Sequence, residues 1–530
     1  MRRLDNFPFR DRLKAQREIT VISSRLTGVP LDNLSSLLSV SPSPEQCLHY
    51  LALLRERHPA DFDYLTGTLA GTRFSLAVFG YSQFLANEVV EHPGWLAAVL
   101  EASDLHRVAG GDEFKARLKA SLSPGIPPPL EFARFRRREI LRILVRDVLR
   151  LGTLPEITAE LTSLAGAIVE TAYERIEAGL IEHYGTPRSP AGDAHFAVLA
   201  LGKMGGEELN YSSDIDLMFL YSENGETSGT RTITNKEFFQ RAANQLTALL
   251  STYTAEGMCY RVDLRLRPDG SLGEVSIPLE GAKRYYAERA RDWELQMMIK
   301  ARVAAGHRPT GRALLEFVEP RIYKTTLDFS AVEELSATRE RLNESLAARQ
   351  KKRHRAEKTV DVKLDRGGIR DIEFLVQCLQ RLYGGAEPWV RHGGTMLALA
   401  RLQDKGFLSG AEYGKLASAY QFLRQVEHRL QFDEDLQVHT LPGDPEELEA
   451  LARRIPGDHS AETLMNEWRS HCEQVIEIYE RVVHSSGPLT PPGARYAANV
   501  VRALDYTAPV LREAMSEGVL HRGYRTFEHF

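Results

Sequence analysis

Cysteine is scarce in this chain: its 530 residues include four, Cys47, Cys259, Cys378 and Cys472. None sits in a CxxC pair. Neither a disulfide framework nor a cysteine zinc site is therefore expected, and the thiols should be reduced and mostly buried. Long apolar runs are also missing. No stretch approaches the ~18 residues that cross a bilayer, and the basic opening MRRLDNFPFRDRLKAQ has no apolar segment behind it. A cytoplasmic protein without a membrane partner is the expectation. Nor does either sign of charge dominate, since 67 Lys and Arg face 72 Asp and Glu for a formal net of -5. A protein that coats nucleic acid needs a basic surface, so a nucleic-acid partner is not expected, although a local basic cleft remains compatible with the total. Glycine (39) and proline (25) stay near ordinary usage, which excludes collagen and wholesale disorder.

What is present is an ordinary globular composition, 43% hydrophobic and 26% charged, long enough for roughly three to four domains. Residues 1–125 read as helical. Pro44 opens one amphipathic segment, and another, Phe84 to Leu100, is broken at His92-Pro93-Gly94. The connector SLSPGIPPPL precedes a basic amphipathic helix, Leu130 to Leu149, carrying Arg134, Arg136, Arg137, Arg138, Arg142 and Arg146. Its arginines are expected on a solvated face with their stems over the core, an anion site being the alternative. Texture changes after the turn-rich YGTPRSP at 184–190. Phe196 to Leu201 and Ile215 to Tyr221 read as strands, Tyr260 to Leu266 alternates, and Lys236 to Ser251 and Leu279 to Arg302 read as helices. The expected plan is mostly α: an N-terminal helical region, a small α/β core with its leading helices over 126–308, and a helical bundle over 309–484. A linker and helical extension would follow over 485–530, where SSGPLTPP opens the segment.

The most informative stretch is LALGKMGGEELNYSSDIDLMFLY, 199–221. Gly202, Gly205 and Gly206 follow a strand, where backbone amides can approach a phosphate, with Lys203 between them and the Ser212 and Ser213 hydroxyls beside the turn. Asp214 and Asp216 stand two apart at a strand start and so share one face. Paired carboxylates raise each other's pKa unless a cation sits between them, and hard oxygen ligands suit Mg²⁺. A third carboxylate should come from a neighbouring strand. RVDLRLR, 261–267, offers Asp263 on the face of Arg261, Arg265 and Arg267, with the two later arginines as phosphate contacts. In RDWELQMMIKAR, Trp293, Met297 and Lys300 share a helix face, the first two as core, while Lys300 and Arg302 are further candidates for phosphate. The run RQKKRHR, 349–355, reads as a solvated basic segment. In GGIRDIEF, Asp371 and Glu373 can serve as interdomain ligands or pair with Arg366 and Arg370.

The GG…SDIDL signature with a later carboxylate strand resembles the polymerase-β-like nucleotidyltransferases. Together with YRVDLRLRPDGSLGE, RDWELQMMIKAR, GGIRDIEFLVQ, EHPGWLAAVL and FRRREILRILVRDVL, it is similar to the bifunctional glutamine synthetase adenylyltransferase/adenylyl-removing family over roughly residues 50 to 485. Family members carry two nucleotidyltransferase halves, and this chain holds one GG…SDxD motif, set as in the N-terminal half. The resemblance implies removal of AMP from a tyrosine of glutamine synthetase by phosphorolysis, releasing ADP. It further implies two Mg²⁺ ions on Asp214, Asp216 and Asp263, and the PII signalling protein as regulator. The alternatives are addition of AMP from ATP, nucleotidylation of a signalling protein, or a catalytically idle scaffold that docks a regulator. Template-independent RNA extension fits less well, because no aromatic-plus-basic RNA module stands out.

Overall fold

Two near-continuous apolar runs, FAVLA and IDLMFLY, become the centre of the sheet because both of their faces are covered. A computed structural model of the chain describes residues 9–23, 31–102, 104–324, 360–432, 436–457 and 460–483. The strands, in chain order, are β1 (Pro187–Ser189), β2 (Gly192–Asp193), β3 (Phe196–Ala200), β4 (Ile215–Tyr221), β5 (Glu226–Thr227), β6 (Val262–Asp263), β7 (Ser276–Pro278) and β8 (Arg302–Gly306). A small antiparallel sheet has the order β2-β1-β5, and the central mixed sheet runs β6-β4-β3-β8, with β7 also pairing with β4. β3 lies antiparallel to β4 and β8, whereas β6 and β7 run parallel to β4.

Strand alternation divides the core. Phe196, Val198, Ile215, Leu217, Phe219 and Tyr221 face a large apolar cluster shared with the N-terminal helices. Ala197, Leu199, Met218 and Leu220 face a smaller one built with the helices Leu279–Glu288 and Arg308–Ile322. Asp214 and Asp216 have the parity of Met218, so the sequence DIDLM sends its carboxylates out at the strand's start and its apolar side chains in. A third cluster packs the C-terminal helices Ile369–Tyr383, Thr395–Asp404, Gly410–Phe432, Pro445–Arg454 and Ala461–Val483. Each buried Phe or Leu contributes about 2–3 kcal/mol of transfer free energy, which is what holds so short a set of strands in place.

The described chain is thus mostly helical, with a small mixed sheet between N-terminal and C-terminal helical regions. The break at His92-Pro93 is real, separating the helices Gln83–Glu91 and Pro93–Glu101. Three expectations change in the central region. Tyr260 to Leu266 is not a full strand: pairing stops after Asp263, and the chain turns through Leu264 to Gly273. Leu279 to Arg302 is not one helical segment; it breaks after Glu288 and again at Lys300, and Arg302 opens β8. Trp293 is not core but 43% exposed. The segments 349–355 and 485–530 lie outside the described residues.

The basic helix Pro129–Val148 departs from expectation most. Arg136, Arg137, Arg142 and Arg146 are buried rather than solvated. Arg142 and Arg146 both pair with Glu160, which is fully buried and also accepts the Ala109 N–H at 3.0 Å. Arg137 pairs with Glu88, and Arg136 donates to the Tyr211 carbonyl at 2.7 Å. The helix is an ionic spine between the N-terminal region and the core.

Candidate functional site

The register of β6 on β4 decides which carboxylates meet. Ile215 is paired with Val262 and Asp216 with Asp263, so the two aspartates are cross-strand neighbours, and Asp214 precedes Asp216 on the same face. Opposite them, Gly202 adopts φ +54, and the Asp216 carboxylate occupies the space a Cβ there would need. A side chain at 202 would be excluded twice over, by backbone conformation and by contact.

Electrostatics follow from this crowding. Burial, then the charges of Asp263 and Asp214, push the Asp216 carboxyl up to about 6. Asp263 moves the other way: the Arg265 guanidinium, with Nε 2.8 Å from one oxygen and 3.0 Å from the other, lowers its pKa. Asp214 is paired with Arg261, whose Nη2 also donates to the Ser212 carbonyl at 2.8 Å. The two guanidinium groups supply the positive charge that three carboxylates require. Among the described residues, the group of three acid or imidazole ligands whose donor atoms fall within 4.8 Å of one another is Glu88, His92 and Glu256, not the aspartates. As a donor set, three carboxylate oxygens with one abnormally high pKa fit a hard divalent cation such as Mg²⁺.

Raised above its ordinary 3.8, the Asp216 pKa has a consequence for stability. The folded chain holds a proton there that the unfolded chain has lost, so stability falls as pH rises from about 4 and the loss is complete above about 6. Asp216→Asn should therefore melt higher than the unsubstituted chain at pH 7.5 in the presence of a chelator, on the order of 1–2 kcal/mol once partial exposure is allowed for. Calorimetric melting at pH 4 and 7.5 checks this; a difference that does not shrink toward pH 4 would refute the assignment.

Ser213 Oγ accepts the Asn210 N–H at 3.3 Å, and the Ser212 N–H donates to Gln431 at 3.3 Å, so both shape the turn before Asp214. The amides of Gly205 and Gly206 donate to the carbonyls of Leu201 and Gly202, closing a single helical turn. Neither faces a phosphate cradle. A Cβ on Gly205 would strike the Lys300 carbonyl, and one on Gly206 the Gly393 carbonyl at 2.8 Å, so these glycines permit close packing. Lys203 Nζ lies 2.7 Å from Glu427, and burial, opposed by Glu427, brings its pKa down to about 7. Lys300 bonds Glu208 at 2.9 Å and Glu373 at 3.1 Å; burial works against its charge, yet the two carboxylates raise its pKa. Arg302 donates to the Met204 carbonyl at 3.1 Å. Arg267 is buried and donates to the carbonyls of Leu264, Ser271, Gly273 and Glu274, tying down the loop after β6. Of the cations expected to meet phosphate, Arg265 is bound to one of the three carboxylates, and the charge of Arg267, though its donors are spent on carbonyls, also acts on Asp263.

Lys203 and Lys300 instead join the core to the C-terminal helices. The helix Gly410–Phe432 presents Arg424, Glu427, His428 and Gln431, spaced for one face, to the segment KMGGEELNYSS. Arg424 donates to the Glu208 carbonyl at 2.8 Å and His428 Nε2 lies 3.1 Å from Asn210 Oδ1. Glu373 is thus interdomain, whereas Asp371 accepts the Gly367 N–H at 2.7 Å and Arg366 pairs with Glu480. Arg261 and Gly202 matter more than their sequence signal showed, since a single arginine and the first of three glycines look like their neighbours.

Residues 75–317 match the family model described as glutamate-ammonia ligase adenylyltransferase, and 336–483 match one described as GlnD PII-uridylyltransferase. The bifunctional glutamine synthetase adenylyltransferase/adenylyl-removing enzyme of Aromatoleum aromaticum is 37% identical over 71% of this chain and 39% of its own length. Those of Hahella chejuensis and Pseudomonas aeruginosa are each 36% identical, over 74% and 68% of this chain. Residues 75–317 of the chain form a domain of the glutamine synthetase adenylyltransferase family. The chain spans about two-fifths of the length of these curated relatives, the matched parts being 39%, 41% and 37% of them. Within the family match fall all three aspartates, Gly202 and both paired arginines, whereas the helix Gly410–Phe432, which contacts Lys203, Glu208, Asn210 and Ser212 beside them, belongs to the second match. Among the described residues, no helix is long and apolar enough to cross a membrane.

Proposed function

We propose that this chain removes AMP from adenylylated glutamine synthetase by phosphorolysis, converting adenylyl-tyrosine and inorganic phosphate into tyrosine and ADP. The observation that carries the reading is the cross-strand pairing of Asp216 with Asp263, with Asp214 on the same face. These three would hold Mg²⁺, which when bound neutralises charge on the phosphoryl oxygens. An oxygen of inorganic phosphate attacks the α-phosphorus, forming the P–O–P bond of ADP. The bond from phosphorus to the tyrosine oxygen breaks, its electron pair leaves with the phenolate, and the phenolate takes a proton from water. Arg265, on the solvent side of Asp263, steers the anionic nucleophile. Phosphate is already anionic at neutral pH, so this direction requires no general base. The chain's imidazoles on the bundle side support that choice, His428 being held on Asn210 and His439 on Glu427. The match of 336–483 to a PII-uridylyltransferase model supports the PII protein as regulator, acting through the C-terminal helices.

Incubation of the chain with glutamine synthetase carrying radiolabelled AMP, phosphate and Mg²⁺ tests the reading. Label should appear as ADP only when phosphate is added. Labelling of the unmodified synthetase from ATP by this chain, without release from the modified form, would reverse the direction.

A further inference from the structure

Three carboxylates with both nearby guanidinium groups already engaged leave a phosphate-binding site short of positive charge. Lys203 is bound to Glu427, Lys300 to Glu208 and Glu373, and Arg267 to backbone carbonyls. Lys363 differs. It sits in the turn DVKLDRGG before the helix Ile369–Tyr383, half-buried, with no carboxylate at ion-pair distance among the described residues. Its backbone is fixed: the Lys363 N–H donates to Asp361 Oδ1 at 2.9 Å, and its carbonyl accepts the Arg370 N–H at 3.2 Å. The turn is fastened to the catalytic core through consecutive contacts. The Val362 N–H donates to the His439 carbonyl at 3.0 Å, His439 lies 3.2 Å from Glu427, and Glu427 holds Lys203, the residue after Gly202, against which Asp216 packs. Accordingly, Lys363 stands among the groups whose charge acts on Asp216, on Lys203, and on Glu373 and Glu427 across the interface. Arg265 is the other cation prominent at Asp216, and it is bound to Asp263.

We infer that Lys363, delivered by the C-terminal helical region, is a catalytic residue of the nucleotidyltransferase site, its ammonium binding the phosphate that becomes the β-phosphate of the nucleoside diphosphate. This rests on the proposed phosphorolysis for the identity of the substrate, but the cation's contact with a nucleoside diphosphate does not depend on direction. The ε-ammonium is a compact charge on a flexible stem, suited to follow a phosphate between the attacking and the bonded state.

Two measurements on the full chain test it. ADP affinity, titrated calorimetrically with Mg²⁺ present, should fall about ten- to hundred-fold in Lys363→Met and be largely restored in Lys363→Arg. In the phosphorolysis assay, Lys363→Met should raise the KM for phosphate by a similar factor and leave that for adenylylated synthetase unchanged. Protection of Lys363 in the unsubstituted chain from acetylation by ADP, read by mass spectrometry, supplies a readout that needs no variant. Unchanged ADP affinity in a folded Lys363→Met, equal loss in Met and Arg variants, or acetylation of Lys363 unaffected by saturating ADP would overturn the inference. If the chain transfers AMP only from ATP, the direction proposed above fails, while the ADP titration and the protection experiment still decide the role of Lys363.

Discussion

Asp216→Asn should leave the chain folded and lower turnover in the proposed phosphorolysis by roughly a hundred- to thousand-fold, the scale seen when one group that stabilises a transition state is removed. The substitution keeps size and shape, so neither the apolar layer beneath Met218 nor the pairing of β4 with β6 is disturbed. What it removes is the charge that Asp263 and Asp214 make costly and that a divalent cation would make favourable. The same variant is expected to gain thermal stability above pH 6 without metal, so loss of activity and gain of stability should appear together. That opposition separates a carboxylate held ready for a cation from one that merely supports the fold, whose removal would lower both. Retention of more than about a tenth of the activity in the folded variant would remove Asp216 from the reaction.

The second large effect lies far from the aspartates. Glu160→Gln should destabilise the N-terminal region and core by about 3–5 kcal/mol, because Arg142 and Arg146 would face each other in a dry interior without their shared anion. Glu160 is wholly buried, and both guanidinium groups are at most 5% exposed. Burial already depresses the pKa of both arginines, so neither can relieve the loss by reaching water. The unfolding free energy from the first urea transition is the measure. An exposed pair gives the control: Glu446→Gln, which breaks the contact to Arg10, should change it by less than about 1 kcal/mol. Equal unfolding free energies in the two variants would mean that the ionic spine contributes no more than a surface contact.

How legible all this was in the sequence depends on how local the determining contacts are. β3 and β4 could be read because uninterrupted apolar runs between glycine-rich turns have few alternatives, and DIDL then set both carboxylates on one face. RVDLRLR misled because its alternation outlasts its pairing: two residues pair with β4, and Arg267 turns inward to hold carbonyls of the following loop. β7 and β8 were missed because SIP and RVAAG are too short to show a period, and a helix-like composition surrounds them. The arginines of Pro129–Val148 were readable as one face but not as a buried one. Glu160 and Glu88, which neutralise Arg146 and Arg137, lie 14 and 49 residues away. Lys300 likewise meets Glu208 and Glu373 across 92 and 73 positions. A lone lysine in a sequence carries no sign of whether phosphate or carboxylate will claim it.

The ties of Lys300 and Lys203 to the C-terminal helices also bear on how this chain can be divided. The two family matches end at 317 and begin at 336, which makes the intervening stretch look like a natural place to cut. Yet the physical seam does not follow that gap. A fragment ending there would keep Lys300 and Glu208 but surrender Glu373 and the Thr395 hydroxyl and N–H that Glu208 accepts, the N–H at 2.5 Å. It would also strip Glu427 from Lys203 in the glycine turn that backs Asp216, and Arg424 from the Glu208 carbonyl. The two regions, matched separately by their letters, are held together by one shared set of buried pairs. Exchange of one without its partner would carry half of each buried pair into a host that lacks the other half.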